Sequence, residues 1–171
     1  MAWWWDSNMP TMRNGSRSGV TLVELTVSVM ILGILAAVAS PIYSNCLIRY
    51  RVEVTAQRIT QDIVQTQRIA RQTNSTRSIT FTTIDHSYVI SGINSMDHVS
   101  QPYKVLVNEA PYRAQFSSLV TAAMPATQLA SLTLTFDRFG MPDQGISVTV
   151  TAGALQKRVD VAPTSGRVSV Q

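Results

Sequence analysis

One acidic residue stands at the start of a long apolar run, a position where an ordinary hydrophobic anchor carries no charge. Glu24 is followed by residues 25–48 without a charged side chain, and residues 25–39 are apolar apart from Thr26 and Ser28. A run of about 20 apolar residues can cross a hydrocarbon core as a helix. Because an unpaired ion at mid-membrane costs about 2.5–3.5 kcal/mol, the Glu24 carboxylate is expected to have a cationic partner.

A cut just before the apolar run would create that partner. If the chain were cleaved between Gly19 and Val20, the new α-ammonium group of Val20 would lie four residues before Glu24, on the same face of a helix. An ion pair, within the chain or with the terminus of a neighbouring chain, would offset the cost of burying either charge. The spacing therefore predicts a positioning role for Glu24.

The stretch GVTLVEL, with the apolar run behind it, resembles the processing motif of type IV pilins and of the pseudopilins of type II secretion systems. The resemblance implies that a membrane aspartyl protease cuts between Gly19 and Val20 and methylates the Val20 terminus. It also implies that Glu24 pairs with the amine of an adjacent subunit. Gly33 and Pro41 fall where family members often carry a glycine and a helix-softening proline, whereas phenylalanine or methionine is commoner at the position of Val20.

Two other interpretations of the N-terminus compete with this one. Arg13 and Arg17 precede an apolar core that ends in residues 37–39, Ala-Val-Ala, as in a standard secretory signal, although Glu24 at the start of the core counts against it. The second is an uncut signal anchor in which Glu24 is tolerated near the interface. In each case the two arginines predict a cytoplasmic N-terminus and an external domain.

Charge and cysteine content narrow the classes of function. The net charge of the whole chain is +4; without residues 1–19 it has twelve Lys and Arg against nine Asp and Glu, a net charge of +3. This excess is too small to indicate nucleic-acid binding by itself. Cys46 is the single cysteine, so an intramolecular disulfide is impossible and the fold must hold by packing. Met9 and Met12 are candidate alternative translation starts.

A helical periodicity continues beyond the apolar run. Asn74 predicts the end of this helix, because asparagine tolerates the left-handed conformation that follows a helix. Arg58 and Asp62, one turn apart, are expected to form an ion pair worth a few tenths of a kcal/mol. The apolar positions that recur near a 3.6-residue period, and are expected to face a domain, are Val52, Ala56, Ile59, Ile63 and Ala70.

The period of strands begins at Arg77 and continues to the end of the chain. Residues 117–130 interrupt the pattern and predict a loop or a short irregular element. The predicted strand segments are 78–83, 87–90, 103–107, 112–116, 131–136, 146–150, 155–161 and 166–170. Short strands at turn spacing favour a β-sandwich-like domain.

The predicted fold class is therefore α+β and pilin-like: a long N-terminal helix, half transmembrane and half amphipathic, packed on a C-terminal antiparallel β-sandwich-like domain. The expected divisions are a cleaved leader at residues 1–19, a transmembrane or filament-core helix at 20–47, and a periplasmic globular domain at 48–171. Within the domain, the amphipathic helix is expected to end near residue 73 and β-structure to occupy residues 77–171.

No catalytic constellation is visible, and neither an enzyme nor a cofactor is predicted. Two His–acid pairs occur, Asp85-His86 and Asp97-His98, but neighbouring side chains diverge and no further His or Cys completes a metal site. Solvated turn residues are the expectation. Asp137 and Asp143 flank a glycine-containing loop, as the ligands of a calcium site would. The calcium-loop spacing is absent and hairpin chemistry explains both residues, so calcium binding is kept only as the less favoured alternative.

Three cations near the C-terminus suggest a second kind of site. Lys157, Arg158 and Arg167 lie on the last two predicted strands, where adjacent strands would bring them into a basic patch. The pattern TFDRFGMPDQG, strand, AGA, strand, GRVSV is similar to the C-terminal part of the GspH/FimT family of minor pseudopilins and minor pilins. In FimT-like members a basic Gly-Arg region is associated with DNA capture. Because GRVSV holds one arginine and phosphate binding needs several converging cations, a solvated strand face is the competing interpretation.

The resemblance implies a structural subunit, a minor pseudopilin of a type II secretion system, assembled into a periplasmic pseudopilus after cleavage and N-methylation and contributing to protein secretion. The alternative is a FimT-like minor type IV pilin involved in pilus assembly or DNA uptake. Implied partners are the prepilin peptidase/methyltransferase, other pilin or pseudopilin subunits and the inner membrane, with nucleic acid less favoured. The implied location is a single-pass inner-membrane protein with a cytoplasmic N-terminus and a periplasmic domain.

Overall fold

The computed structural model describes residues 19–95 and 101–171. The chain divides into two compact units after Pro41: the described part of the first is residues 19–41, and the second is Ile42–Gln171. One long helix, α1 (Leu22–Thr73), precedes the strands of this described part. The strands are β1 (Arg77–Thr82), β2 (Ser87–Asn94), β3 (Pro102–Leu106), β4 (Gln115–Thr121), β5 (Ser131–Phe136), β6 (Ile146–Ala152), β7 (Leu155–Val161) and β8 (Val168–Val170).

The amphipathic part of α1 packs as the periodicity predicts. Val52, Ala56, Ile59, Ile63 and Ala70 are all buried. The predicted end of the helix is also confirmed, because Asn74 adopts a φ of 50° directly after Thr73. The backbone N–H of Ser75 then donates to the carbonyl of Ala70 at 3.2 Å, which satisfies one of the carbonyl groups that a helix end leaves free.

Two antiparallel four-stranded sheets form the rest of the domain. Their strand orders are β3-β2-β1-β5 and β4-β6-β7-β8. The buried faces of both sheets and the buried stripe of α1 belong to one hydrophobic core. Phe81 of the first sheet and Phe116 of the second meet edge to face, with ring centroids 5.9 Å apart. The α+β class, with a long N-terminal helix packed on antiparallel sheets, is confirmed.

The prediction of a loop or irregular element at residues 117–130 is wrong at its beginning. Strand β4 extends from Gln115 to Thr121. Its pairing with β6 shifts between Phe116 and Ser118, so a β-bulge falls at Ser117. Phe116 and Leu119 are therefore both buried although three positions separate them, which breaks the two-residue alternation that identifies a strand.

Candidate functional site

The helix that carries Glu24 begins with a side-chain cap. The hydroxyl oxygen of Thr21 accepts a hydrogen bond from the backbone N–H of Glu24 at 3.2 Å, and the carbonyl of Thr21 accepts one from the N–H of Leu25 at 3.1 Å. Thr21 is thus the N-cap residue, and Glu24 stands at the third helical position. This order, Thr-x-x-Glu, is that of a capping box, a sequence signal that the prediction missed.

The other polar side chains of the apolar segment are satisfied by the helix itself. Thr26 Oγ1 donates to the carbonyl of Val23 at 2.9 Å, and Ser28 Oγ donates to the carbonyl of Glu24 at 2.7 Å. In the described residues, the Glu24 carboxylate makes neither a hydrogen bond nor an ion pair. Glu24 is therefore a charged group without a side-chain partner in the described part of the chain.

Helix electrostatics explain what a carboxylate does at this position. The first turn of a helix carries a partial positive charge from its free N–H groups, which favours an acid and disfavours a cation. Glu24 lies in the first turn of α1. Cleavage before Val20 would place an ammonium group at the same end of the helix. A carboxylate near that end, from the same chain or from a neighbour, would compensate both the ammonium and the helix end.

The remaining predicted N-terminal residues lie in open positions. Gly19 precedes the helix and has no atom within 4 Å of where a Cβ would stand, and the same is true of Gly33. Val20 is 70% exposed, so the bond between Gly19 and Val20 is accessible. Pro41 lies inside the helix. By length and composition, α1 is the one helix among the described residues that is apolar enough to cross a membrane.

The three C-terminal cations do not converge. Lys157 pairs with the carboxylate of Glu53 on α1, and the pKa of Glu53 is lowered by its hydrogen bonds from Lys157 and then from Gln57. Arg158 follows Lys157 directly in β7, so its side chain points to the opposite face of the sheet.

On that opposite face Arg158 has partners of its own. Its Nε lies 2.9 Å from Oδ2 of Asp160, and its Nη2 donates to Oε1 of Gln171 at 2.8 Å. Arg167 precedes β8 and is exposed. Two of the three predicted DNA contacts are therefore neutralised by carboxylates of the same chain.

The described acidic and histidine side chains that were considered as metal ligands lie in a turn and make contacts within the domain. Asp85 lies 3.5 Å from the ammonium group of Lys104. His86 has a φ of 45°, and its Nδ1 accepts from the N–H of Phe116 at 3.2 Å. Asp97 and His98 lie outside the described residues. In residues 19–95 and 101–171, no group of three or more His, Cys, Asp or Glu side chains could hold a metal ion.

The two aspartates of the 137–145 loop hold that loop together. Asp137 Oδ1 accepts from the N–H groups of Phe139 at 2.9 Å and Met141 at 2.7 Å. Asp143 Oδ1 accepts from the N–H of Thr135 at 3.0 Å. These bonds are the turn chemistry that the sequence indicated.

Comparison with known proteins bears on the N-terminal segment. Residues 14–40 match the family described as the prokaryotic N-terminal methylation motif. The chain carries this motif. It is also similar to the type IV minor pilin FimU of Pseudomonas aeruginosa (strain PAO1) in two crystal forms, with 12% sequence identity to each. For the crystal form in space group P21, the likeness covers 72% of this chain and 90% of that chain, with a TM-score of 0.49. For the form in space group P65, it covers 70% of this chain and 91% of that chain, with a TM-score of 0.47. No curated protein matches the chain.

Sequence reasoning missed a buried polar network around Asp62. The expected ion pair with Arg58 exists, with 3.2 Å between Arg58 Nε and Asp62 Oδ2. Asp62, however, is only 3% exposed. The same Oδ2 accepts from the phenol of Tyr88 at 2.5 Å and from that of Tyr103 at 3.4 Å. The value of a few tenths of a kcal/mol applies to exposed helix pairs, and here one partner is a buried carboxylate that also accepts from two phenols.

The network shifts the pKa of its members. Burial, followed by the Asp62 carboxylate, raises the pKa of Tyr88 well above its usual value, and the same causes raise the pKa of Tyr103. Burial alone would lower the pKa of Arg58, but its hydrogen bond to Tyr103 and the charge of Asp62 outweigh burial and raise it. Asp62 lies between Ile59 and Ile63 on the buried stripe of α1, which is the signal that could have revealed it.

Proposed function

We propose that this chain is a minor subunit of a pilus-like filament, cut between Gly19 and Val20, methylated at Val20, and positioned in the filament by Glu24. One observation carries the proposal. Within the matched methylation motif, the Glu24 carboxylate stands in the first turn of an apolar helix and has no partner in the described part of its own chain.

The physical role of Glu24 follows from its isolation. Before assembly the apolar segment anchors the chain in the inner membrane, with the domain in the periplasm. In the filament the same segment packs among the helices of other subunits, where a lone carboxylate is costly unless a cation meets it. The ammonium of a neighbour's Val20 supplies that cation and fixes the axial register of the two helices. Gly33 and Pro41 are the positions at which the helix would yield on this transfer, since both weaken helical structure.

The pseudopilus of a type II secretion system is the assembly we propose. The alternative, a minor pilin for DNA uptake, requires several cations that converge on phosphate groups. Lys157 and Arg158 are instead paired with Glu53 and Asp160. A gel-shift assay of the full chain in mild detergent across a salt series tests the alternative. A steep loss of DNA binding with rising salt would favour DNA uptake over secretion.

The processing step has a direct test. Intact-mass measurement of the chain purified from membranes is expected to give residues 20–171 with one added methyl group on Val20. A terminus at Ser40 would indicate an ordinary signal peptide and would refute the processing. An uncut chain would indicate a simple anchor and would refute it equally.

The role of Glu24 is tested by two substitutions of that residue and one control. Glu24→Ala removes the whole carboxylate group, whereas Glu24→Gln keeps a polar side chain of nearly the same size and removes only the charge. Thr26→Val is the matched control, since the Thr26 hydroxyl bonds only to the helix backbone. We expect both Glu24 variants to insert into the membrane and to enter filaments about tenfold less than wild type, equivalent to about 1.4 kcal/mol. Normal assembly of Glu24→Gln would show that the carboxylate charge has no role.

A further inference from the structure

A protruding aromatic residue lies among arginines at the end of α1. Phe139 is 64% exposed, and Met141, two residues on, is 40% exposed. The guanidinium carbon of Arg138 lies 4.8 Å from the centre of the Phe139 ring. We call the surface formed by Arg71, Arg138, Phe139, Met141 and Arg167 the Phe139 patch.

The patch is held rigidly by the helix. Arg71 Nε donates to the carbonyl of Phe139 at 2.9 Å, and Gln67 Nε2 donates to the carbonyl of Gly140 at 2.7 Å. Gly140 has a φ of 75°, and a Cβ there would stand 2.3 Å from Arg71 Nε, so the close approach requires glycine. These bonds fix the backbone of the loop in a conformation that leaves the Phe139 side chain exposed.

The loop that carries Arg167 approaches the same helix end, and Arg167 is exposed. Gly166, with a φ of 63°, packs against the same helix end: a Cβ there would stand 2.6 Å from Gln67 Nε2 and 3.2 Å from Cδ of Pro142. The side chains of Arg138 and Arg167 make no ion pair with any described residue. The nearby Asp137 accepts from backbone N–H groups of its own loop, and Asp143 accepts from the N–H of Thr135 in β5.

We propose that the Phe139 patch docks a different filament subunit through an apolar pocket rimmed by carboxylates; this rests on the proposed function, since it supposes a filament. Phe, Met and Arg are the side chains enriched at the centres of protein interfaces, and a rigid aromatic anchor loses little entropy on docking. None of the three arginines of the patch is ion-paired to a described residue, and Arg138 and Arg167 supply the charge that an acidic rim complements.

The charges of the chain itself indicate that the partner is not a second copy. Residues 42–171 hold twelve Lys and Arg against eight Asp and Glu. Of the described carboxylates in this range, Glu53, Asp62, Asp85 and Asp160 are ion-paired, and Asp137 and Asp143 bind backbone N–H groups. Only Glu109 among the described acids of the domain is uncommitted, so the described surface of a second copy offers a single free carboxylate for such a rim.

A nucleic acid fits the patch less well than a protein. The patch has three arginines, and Arg71 already donates to the Phe139 carbonyl. Phosphate binding gains affinity from each added cation, and bases need stacking platforms along a groove. Here Phe139 is accompanied by Met141, a side chain suited to an apolar protein pocket.

Photo-crosslinking of the full chain in the bacterium that produces it tests the proposal. A benzophenone amino acid replaces Phe139, and in a control chain it replaces Ile84, which is 79% exposed on the turn between β1 and β2. We expect position 139, but not position 84, to form an adduct with another protein that carries an N-terminal methylation motif. Mass spectrometry should map the adduct beside Asp or Glu residues.

Charge reversal makes the test specific. Arg138→Glu is expected to lower the adduct yield about tenfold, and changing the mapped carboxylate of the partner to Lys should restore it. Arg113→Glu, at an exposed position outside the patch, should leave the yield unchanged. An adduct with a second copy, a nuclease-sensitive adduct, or no adduct at position 139 would each overturn the proposal. If Val20 is methylated and the chain still enters filaments, such a failure leaves the proposed function standing.

Discussion

Replacing Tyr88 by phenylalanine removes one hydroxyl group from the buried network around Asp62 and leaves the ring in the core. Tyr88 is 1% exposed, and its phenol donates to Asp62 Oδ2 at 2.5 Å. Hydrogen bonds to charged groups contribute about 1.5–3 kcal/mol to stability. Because Asp62 keeps its ion pair with Arg58, the carboxylate is not left wholly unpaired, and we expect Tyr88→Phe to lower the free energy of unfolding by about 1.5–3 kcal/mol.

Two further substitutions set the scale of this effect. Asp62→Ala leaves the guanidinium of Arg58 and the phenol of Tyr88 without their acceptor, and breaking a buried pair in this way costs about 3–5 kcal/mol. Tyr103→Phe is the comparison variant: it removes a 3.4 Å bond to Asp62 and the bond that Tyr103 accepts from Arg58, but the ring is only partly buried, so water can replace these bonds. Its expected cost is below about 1 kcal/mol.

Urea unfolding of the full chain in mild detergent, followed by circular dichroism, measures these differences at constant m-value. The order expected is Asp62→Ala, then Tyr88→Phe, then Tyr103→Phe. The reasoning would be refuted by a Tyr88→Phe variant within about 0.5 kcal/mol of wild type, the range of ordinary surface changes. It would also fail if Tyr103→Phe cost as much as Tyr88→Phe.

Two other predictions follow from the structure. Burial and then the Asp62 carboxylate raise the pKa of Tyr88, so the folded state keeps a proton that the unfolded state loses above about pH 10. Stability is therefore full below that pH and should fall above it, by up to about 1.4 kcal/mol per pH unit, and Tyr88→Phe should flatten an alkaline denaturation curve. Gly140→Ala should cost about 1–2 kcal/mol, because the left-handed backbone is unfavourable and Arg71 must move. Gly33→Ala, in open helix, should leave the domain's urea midpoint unchanged; equal midpoints for both variants would contradict the Gly140 prediction.

The parts of the fold that the sequence predicts are those whose signal is local. The stripe from Val52 to Ala70 and the stop at Asn74 depend only on residues within one helix. The bulge at Ser117 could not be predicted, because it is a feature of the pairing between β4 and β6. The buried network around Asp62 could not be predicted for a similar reason: its partners Tyr88 and Tyr103 lie 26 and 41 residues further along the chain, on other elements.

The same limit applies to the basic residues. Their number and positions were visible in the sequence, but which of them have partners was not. Lys157 and Arg158 meet Glu53 and Asp160 only in the folded domain. Arg138 lies over the exposed ring of Phe139, in a loop that is hydrogen-bonded to the end of α1. The basic patch predicted on the last two strands is therefore not formed, and Arg138 and Arg167, which make no ion pair with a described residue, lie in loops.

Two of the three carboxylates of α1, Glu24 and Asp62, differ in a way that supports both proposals. Glu24 and Asp62 are acids set among apolar residues of one helix, and each needs a compensating group. Asp62 finds three donors within its own chain, so the fold alone explains it. Glu24 finds none in the described residues, which is why we propose that its partner is another molecule or a new terminus. Applied to the cations, the same criterion assigns Lys157 and Arg158 to the fold, and Arg138 and Arg167 to a surface that a partner with carboxylates would complete.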